Sequence, residues 1–250
     1  MNPTQEHRND LAGLRIAITG GTSGLGLALV REWSARGAAA AFVARTPGSV
    51  ERIAREIPGA AGIAGDVSKK TDIHPIALQI LGRLGGLDVL VNNASSLGPV
   101  PLALLADTEC EDFETALATN LLGPFRLTRA VLGALRASAA EGRGAVVLNI
   151  SSDAAVTPYS HWGAYGASKA ALRHMSAIWR DELQGEGIAV VALDPGDMDT
   201  PLHALAIPDA DTSTLRKPEA SAQDLTRAIV AELREIASRR ERSRETGRQA

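Results

Sequence analysis

The sequence predicts an α/β fold: a single doubly wound parallel sheet (Rossmann-type) of six strands, with helices on both faces. Three observations carry this expectation. Six short apolar runs recur along the chain, at Arg15–Thr19, Ala39–Ala44, 62–65, 89–91, Ala145–Ile150 and Ile188–Leu193. Most are continuous and do not alternate, as expected of strands covered on both faces. Amphipathic segments such as 25–36 and 50–56 separate them, and strand-helix alternation builds parallel sheets. With 250 residues, 45% of them hydrophobic, the chain can fill such a core. No linker rich in Gly, Ser or Pro divides it, so residues 13–237 read as one domain. Residues 1–12 read as a flexible N-terminus.

The first run leads into Thr19-Gly20-Gly21-Thr22-Ser23-Gly24-Leu25-Gly26. Glycine lets the backbone turn tightly and leaves no Cβ between an amide and a phosphate. The helix that follows offers free N–H groups and the positive end of its dipole to a pyrophosphate. The spacing is neither the usual GxGxxG nor a P-loop, which would need a lysine after the last glycine. Dinucleotide binding is the function it predicts. The second run decides the nucleotide. It ends in Arg45 and Thr46, with no acidic residue to bind a ribose 2′-hydroxyl. A guanidinium there can bind a 2′-phosphate bidentately, so NADP(H) is favoured over NAD(H). Asp66 and Val67 follow the third run, where a carboxylate can accept from an adenine amino group. Asn92, Asn93 and Ala94 follow the fourth, where asparagine can tie strand ends together.

A helix is expected over 111–134, locally broken beside Asn120 by Pro124; the break opens a place for a water and a proton path to Lys169. The fifth run ends at Ser152, a donor for a substrate oxygen. Tyr165 and Lys169 lie one helical turn apart in Ala164-Tyr165-Gly166-Ala167-Ser168-Lys169. A tyrosine titrates near pH 10, and the lysine charge is expected to lower it and suit it to acid-base work. The pocket is expected to draw on Ser96, Leu97, Tyr159, His161, Trp162, Met198, Leu202 and His203, with 201–218 as a short lid. Its size suits a small or flat substrate. No metal is needed.

After a stripe of Leu225, Ile229, Leu233 and Ile236, residues 238–250 are almost entirely polar or charged and read as a disordered tail. The net charge of −3 gives no reason to expect nucleic acid or an anionic membrane as a partner. Cys110 is the single cysteine, which excludes an intramolecular disulfide and suits a reducing cytoplasm. Neither a signal-peptide pattern nor an apolar run of about 20 residues is present.

Taken in order, these motifs resemble the short-chain dehydrogenase/reductase family over residues 14–201. The resemblance implies a catalytic tetrad of Asn120, Ser152, Tyr165 and Lys169. It implies a cofactor site of Gly20, Thr22, Ser23, Gly24, Leu25, Gly26, Arg45, Thr46, Asp66, Val67, Asn93, Ala94 and Ser95. Further along, Tyr165, Lys169, Pro195, Gly196, Met198 and Thr200 complete that site, with Thr200 holding the nicotinamide carboxamide. Leu97, Trp162 and His203 would meet the substrate. The expected reaction is hydride transfer between NADP(H) and a carbonyl or secondary alcohol; the alternative is an NADP-binding redox sensor or scaffold without turnover. Two departures stand out. Ser95 stands where the family usually has glycine, and no seventh strand or glycine pair follows Ile236. A homodimer is expected through the helices bearing Asn120 and Tyr165, with Leu127, Val131, Leu172 and Trp179 on its face.

Overall fold

Six strands form one sheet in the order β3-β2-β1-β4-β5-β6. They are β1 (Arg15–Thr19), β2 (Ala39–Ala44), β3 (Ala61–Ala64), β4 (Val89–Asn92), β5 (Ala145–Ile150) and β6 (Ile188–Leu193). Every pairing is parallel. The computed structural model describes residues 10–249. From β1 the chain winds outward to β3, then crosses back to β4 and winds the other way. That reversal leaves a crevice beyond the carboxyl ends of β1 and β4, where ligands of such sheets bind.

Both faces are covered, which is why the strands read as unbroken apolar runs. Against one face pack α1 (Gly24–Ala35), α2 (Pro47–Glu56) and α8 (Pro218–Gln249), through Leu29, Trp33, Ile53, Leu225 and Ile229. Against the other pack α3 (Lys70–Leu84), α5 (Gly123–Ala140) and α6 (Gly163–Leu183), through Ile76, Ile80, Leu127, Val131 and Leu183. Each such side chain contributes about 1.5–3 kcal/mol by leaving water. Trp33 is wholly buried, and its indole N–H donates to Thr226 Oγ1 at 3.0 Å, which satisfies the one polar atom it takes inside.

The amino ends of the strands carry a buried carboxylate. Asp88, just before β4, is completely covered. It accepts from Arg15 Nη2 at 2.7 Å, Arg143 Nη2 at 2.7 Å, Ser138 Oγ at 2.6 Å and the Arg15 backbone N–H at 2.9 Å. Burial alone would raise its pKa, but the bonds from Arg143, Arg15 and Ser138 outweigh this and hold it well below the carboxylate range.

Four expectations need correction. The helix bearing Asn120 is three pieces: α4 (Cys110–Leu117), a π-helical turn (Ala118–Leu122) and α5. The break is real, but it is an extra residue per turn and lies before Pro124, which opens α5 where its missing N–H costs nothing. Residues 10–12 are not flexible, because Leu11 is buried in the core and Asp10 pairs with Arg36 at 2.6 Å; residues 1–9 lie outside the described part. Leu127, Val131 and Leu172 do not face outward; they are buried within the chain, while Leu122 and Ile178 are exposed instead.

The fourth is the tail. α8 continues through Gln249, and only residue 250 of the expected disordered segment lies outside the described residues. Arg239 bonds Glu235 one turn earlier at 2.9 Å. Arg240 Nη1 donates to the Ala139 carbonyl at 3.1 Å, on the last turn of α5, where a cation meets the negative end of the helix dipole. The partner lies a hundred residues away, so composition could not reveal it. Arg240→Ala should therefore cost about 1 kcal/mol, read as a fall of about 2–4 °C in Tm. Loss of residues 239–250 should cost little more, and an unchanged Tm for both would show that this contact adds nothing to stability.

Candidate active site

The carboxyl ends of the strands open on a cleft of about 660 Å³. Its floor begins with the glycine turn. Gly20 and Gly24 have φ of +74° and +48°, left-handed values that favour glycine. A Cβ on Gly26 would lie 2.1 Å from the Gly20 carbonyl oxygen and 2.7 Å from Asn93 Nδ2. No side chain caps α1 among the described residues, so its first-turn N–H groups are left for a ligand. This cradle fits a pyrophosphate. Thr22, Ser23 and Leu25 line it too.

Asn93 clasps the floor. Its Nδ2 donates to the carbonyls of Thr19 at 2.9 Å and Gly20 at 3.2 Å, while the backbone N–H groups of Asn93 and Ala94 each donate to Thr19 Oγ1 at 3.0 Å. The ends of β1 and β4 are thereby fixed to one another. Below them Asn92 Nδ2 donates to Asn149 Oδ1 at 2.8 Å, and Asn149 Nδ2 to Ser176 Oγ at 2.8 Å, all buried. At one end of the cleft, Arg45 and Thr46 close β2, with Asp66 and Val67 beyond β3. Arg45 is exposed and makes no ion pair among the described residues. Asp66 Oδ1 holds its own loop by accepting from the Ser68 hydroxyl at 2.7 Å.

The other end gathers the reactive groups. Ser152, Tyr165 and Lys169 line the cleft together with Ser95, Pro195, Gly196, Met198 and Thr200. Lys169 is buried, and its Nζ donates to the Ile150 carbonyl at 2.7 Å and lies 5.5 Å from the Tyr165 ring centroid. Burial pulls the Lys169 ammonium down to about 8, against the attraction of Asp194. Burial likewise pushes the Tyr165 hydroxyl up to about 12; hydrogen bonding with Ser152 and Ser95 opposes the rise, and the Asp194 and Asp153 carboxylates add to it. The tyrosine pKa thus lies above its ordinary value and not below it as expected, because desolvation of the ring outweighs the bonds from Ser152 and Ser95.

Asn120 is 1% exposed and does not reach the cleft. Its Nδ2 donates to the Ser96 carbonyl at 2.7 Å and to Ser168 Oγ at 2.8 Å, while its Oδ1 accepts from Ser96 N–H at 2.8 Å and Ser95 Oγ at 3.2 Å. Both donors and both lone pairs of the amide are used. The side chain ties the loop after β4 to α6 and has nothing left for a water.

Leu97, Trp162 and His203 line the cleft as well, as do Tyr159 and Leu202. Trp162 meets Tyr165 edge-on at 5.6 Å. The roof is the short helix α7 (Pro201–Ala206), capped by Thr200, whose Oγ1 accepts from His203 N–H at 3.2 Å. Ser96 and His161 stand outside the lining. Asp194 lines it beside the expected Pro195, and Asp153 and Asp197 line it unforeseen. Only the place of Asp153 directly after Ser152 could have announced it.

A family model described as short chain dehydrogenase matches residues 15–210. The chain is 32% identical over 191 residues to an L-fucose dehydrogenase of Mus musculus, covering 76% of this chain and 67% of that one. Among solved structures, a 3-ketoacyl-(acyl-carrier-protein) reductase from Brucella melitensis complexed with NADH superposes with a TM-score of 0.81, at 30% identity over 87% of this chain and 90% of that one. A short chain dehydrogenase from Shigella flexneri 2a complexed with NADP superposes with a TM-score of 0.77, at 25% identity over 84% of this chain and 89% of that one.

Proposed function

The chain belongs to the short-chain dehydrogenase/reductase family and is an NAD(P)-dependent oxidoreductase; from that premise we propose that it uses NADP(H) in preference to NAD(H) and interconverts a carbonyl and a secondary alcohol on a small or flat substrate. The observation that carries the reading is the convergence of Ser152, Tyr165 and Lys169 in one cleft with the glycine cradle. When bound along the cleft floor, the nicotinamide cofactor supplies or takes the hydride. The chain's residues handle the oxygen and its proton. Ser152 and Tyr165 hold the substrate oxygen between two hydroxyls, which stabilises charge growing there. With its hydroxyl pushed up to about 12, Tyr165 is fully protonated at neutral pH and donates to that oxygen in reduction. Lys169, held on the Ile150 carbonyl, presents its ammonium beside the tyrosine. Asn120 positions this group through Ser168 and the loop after β4.

The test is oxidation of NADPH, followed by absorbance, against a panel of ketones, aldehydes and quinones; no Tyr165-dependent turnover with any of them would sink the reading. The preference for NADP(H) rests on Arg45 at the end of β2 with no carboxylate beside it. Replacing Arg45 with Ala should cost about 1.5–3 kcal/mol in kcat/KM for NADPH and leave NADH almost unchanged. Equal use of both nucleotides by the wild type would overturn the preference.

The same reading takes the protein as a cytoplasmic homodimer paired through α5 and α6. What supports the pairing is the apolar surface those helices leave outside, where Phe125 stacks on Trp179 at 5.6 Å beside exposed Leu122 and Ile178. Among the described residues, no helix is long and apolar enough to cross a membrane.

A further inference from the structure

Among the described residues, Asp153 is the one acidic residue that bonds the Ser152 hydroxyl assigned to the substrate oxygen. The Ser152 hydroxyl donates to Asp153 Oδ1 at 3.0 Å, and the same oxygen accepts from the Ala154 N–H at 2.7 Å. The Tyr159 hydroxyl donates to Asp153 Oδ2 at 2.7 Å. Asp153, Ser152 and Tyr159 all line the cleft. The carboxylate is therefore held from two sides and faces the space where the substrate must lie.

The arrangement raises a conflict. A serine hydroxyl has one proton. While that proton points at Asp153, Ser152 cannot give it to a carbonyl oxygen, and an anionic acceptor is the stronger attractor. A carboxylate beside the reacting oxygen also opposes negative charge growing there, so with a plain ketone Asp153 works against the reaction. A substrate that brings its own donor removes the conflict. An ionised carboxylate offers about four lone-pair sites. The hydroxyls of Ser152 and Tyr159 and the Ala154 N–H use three of them. Oxygens on neighbouring carbons are spaced about one hydrogen-bond length apart. A molecule with its reacting oxygen on Ser152 and Tyr165 thus sets a hydroxyl on the next carbon within reach of Asp153.

We propose that Asp153 is a specificity-determining residue that selects substrates bearing a hydroxyl on the carbon beside the reacting one: α-hydroxy carbonyls in reduction and vicinal diols in oxidation. That hydroxyl donates to the Asp153 carboxylate in place of Ser152, and the released Ser152 proton turns to the substrate oxygen. Tyr159 holds the carboxylate in position throughout. No bond other than these hydrogen bonds changes, and the hydride and Tyr165 proton move as in the reaction above. This inference rests on the oxidoreductase reading and adds the substrate class.

The experiment compares matched ketones, 2-hydroxycyclohexanone with cyclohexanone and hydroxyacetone with acetone, in wild type, Asp153→Ala, Asp153→Asn and Tyr159→Phe, with Tm measured for each. The wild type should prefer the hydroxylated member of each pair in kcat/KM by about 10-fold, the low end for a hydrogen bond to a charged group at an exposed site. In Asp153→Ala the two values should move in opposite directions, falling for the hydroxyketone and rising for the plain ketone. Asp153→Asn keeps an acceptor without the charge and should fall between. Tyr159→Phe frees the carboxylate to swing and should raise KM for the hydroxyketone more than it changes kcat. Equal kcat/KM within each pair in the wild type, or a parallel fall for both members in Asp153→Ala at unchanged Tm, would overturn the inference while leaving the oxidoreductase reading intact. Absence of turnover with every carbonyl, including the wider panel, would overturn both.

Discussion

Tyr165→Phe is expected to lower kcat by about 100-fold or more, the scale of a lost general acid, with the melting temperature and NADPH affinity nearly those of the wild type. The substitution removes one oxygen and keeps the ring. The ring makes the packing contacts, with Trp162 edge-on at 5.6 Å and Lys169 above it at 5.5 Å. Its hydroxyl hydrogen-bonds with Ser152 and carries the proton assigned to the substrate oxygen. Because burial lifts that hydroxyl to about 12, it stays protonated through the neutral range, and reduction should not fade as pH rises toward 8 by loss of this proton. The group expected to change charge there is Lys169, pulled down to about 8. Single-turnover rates with saturating NADPH would separate chemistry from binding. A phenylalanine variant with near-native kcat would remove Tyr165 from the mechanism.

The largest effect on stability is expected at the opposite end of the sheet. Asp88→Ala should cost about 3 kcal/mol, the lower end for breaking a buried ion pair, since Arg15 and Arg143 keep 18% and 36% of their side chains in water. In a chain of this size the loss should appear as a fall of about 6–12 °C in Tm. The Arg15 backbone N–H would lose its acceptor at the same time, while the Ser138 hydroxyl keeps the Gly144 carbonyl at 2.9 Å. The pH dependence follows from the sign of the shift. The folded protein holds Asp88 below its unfolded value, so its contribution is complete above the ordinary carboxylate range. It is lost as pH falls through and below that range, because the unfolded chain binds the proton first. Acid titration of Tm should therefore be steeper in the wild type than in Asp88→Ala. Equal slopes, or a Tm within about 2 °C of the wild type, would show that the two arginines hold nothing that water does not.

The sheet was legible because burial on both faces keeps the strands largely apolar, with Asn92 and Asn149 paired to one another where they break the pattern, and the predicted runs match the strands to within a residue. That the glycine turn and the strand-end residues share one cleft was legible for a related reason: such residues are demanded by backbone geometry, which is local. What escaped depends on distant partners. Asp88 sits between Leu87 and Val89 and reads as a loop residue until Arg15 and Arg143 close on it. Arg240 reads as tail charge until α5 ends against it. The pKa of Tyr165 could not be inferred from Lys169 four residues away, since its main determinant is how deeply the ring is covered. Asn120 was found by its place before Pro124, but its amide proved to be spent on the loop and α6.

The clasp made by Asn93 has a consequence for how the cleft can move. The floor is stitched across β1 and β4 by bonds to Thr19 and Gly20, with Asn92, Asn149 and Ser176 buried beneath. Such a floor can open only with the sheet itself, at close to the full free energy of unfolding. The roof differs: α7 is six residues long and buries none of them. Local opening should therefore run from α7 upward, and amide protons of the floor should outlast those of the roof in exchange with solvent. Entry and exit of small molecules can then proceed on a part of the protein whose fluctuations leave the alignment of Ser152, Tyr165 and Lys169 undisturbed.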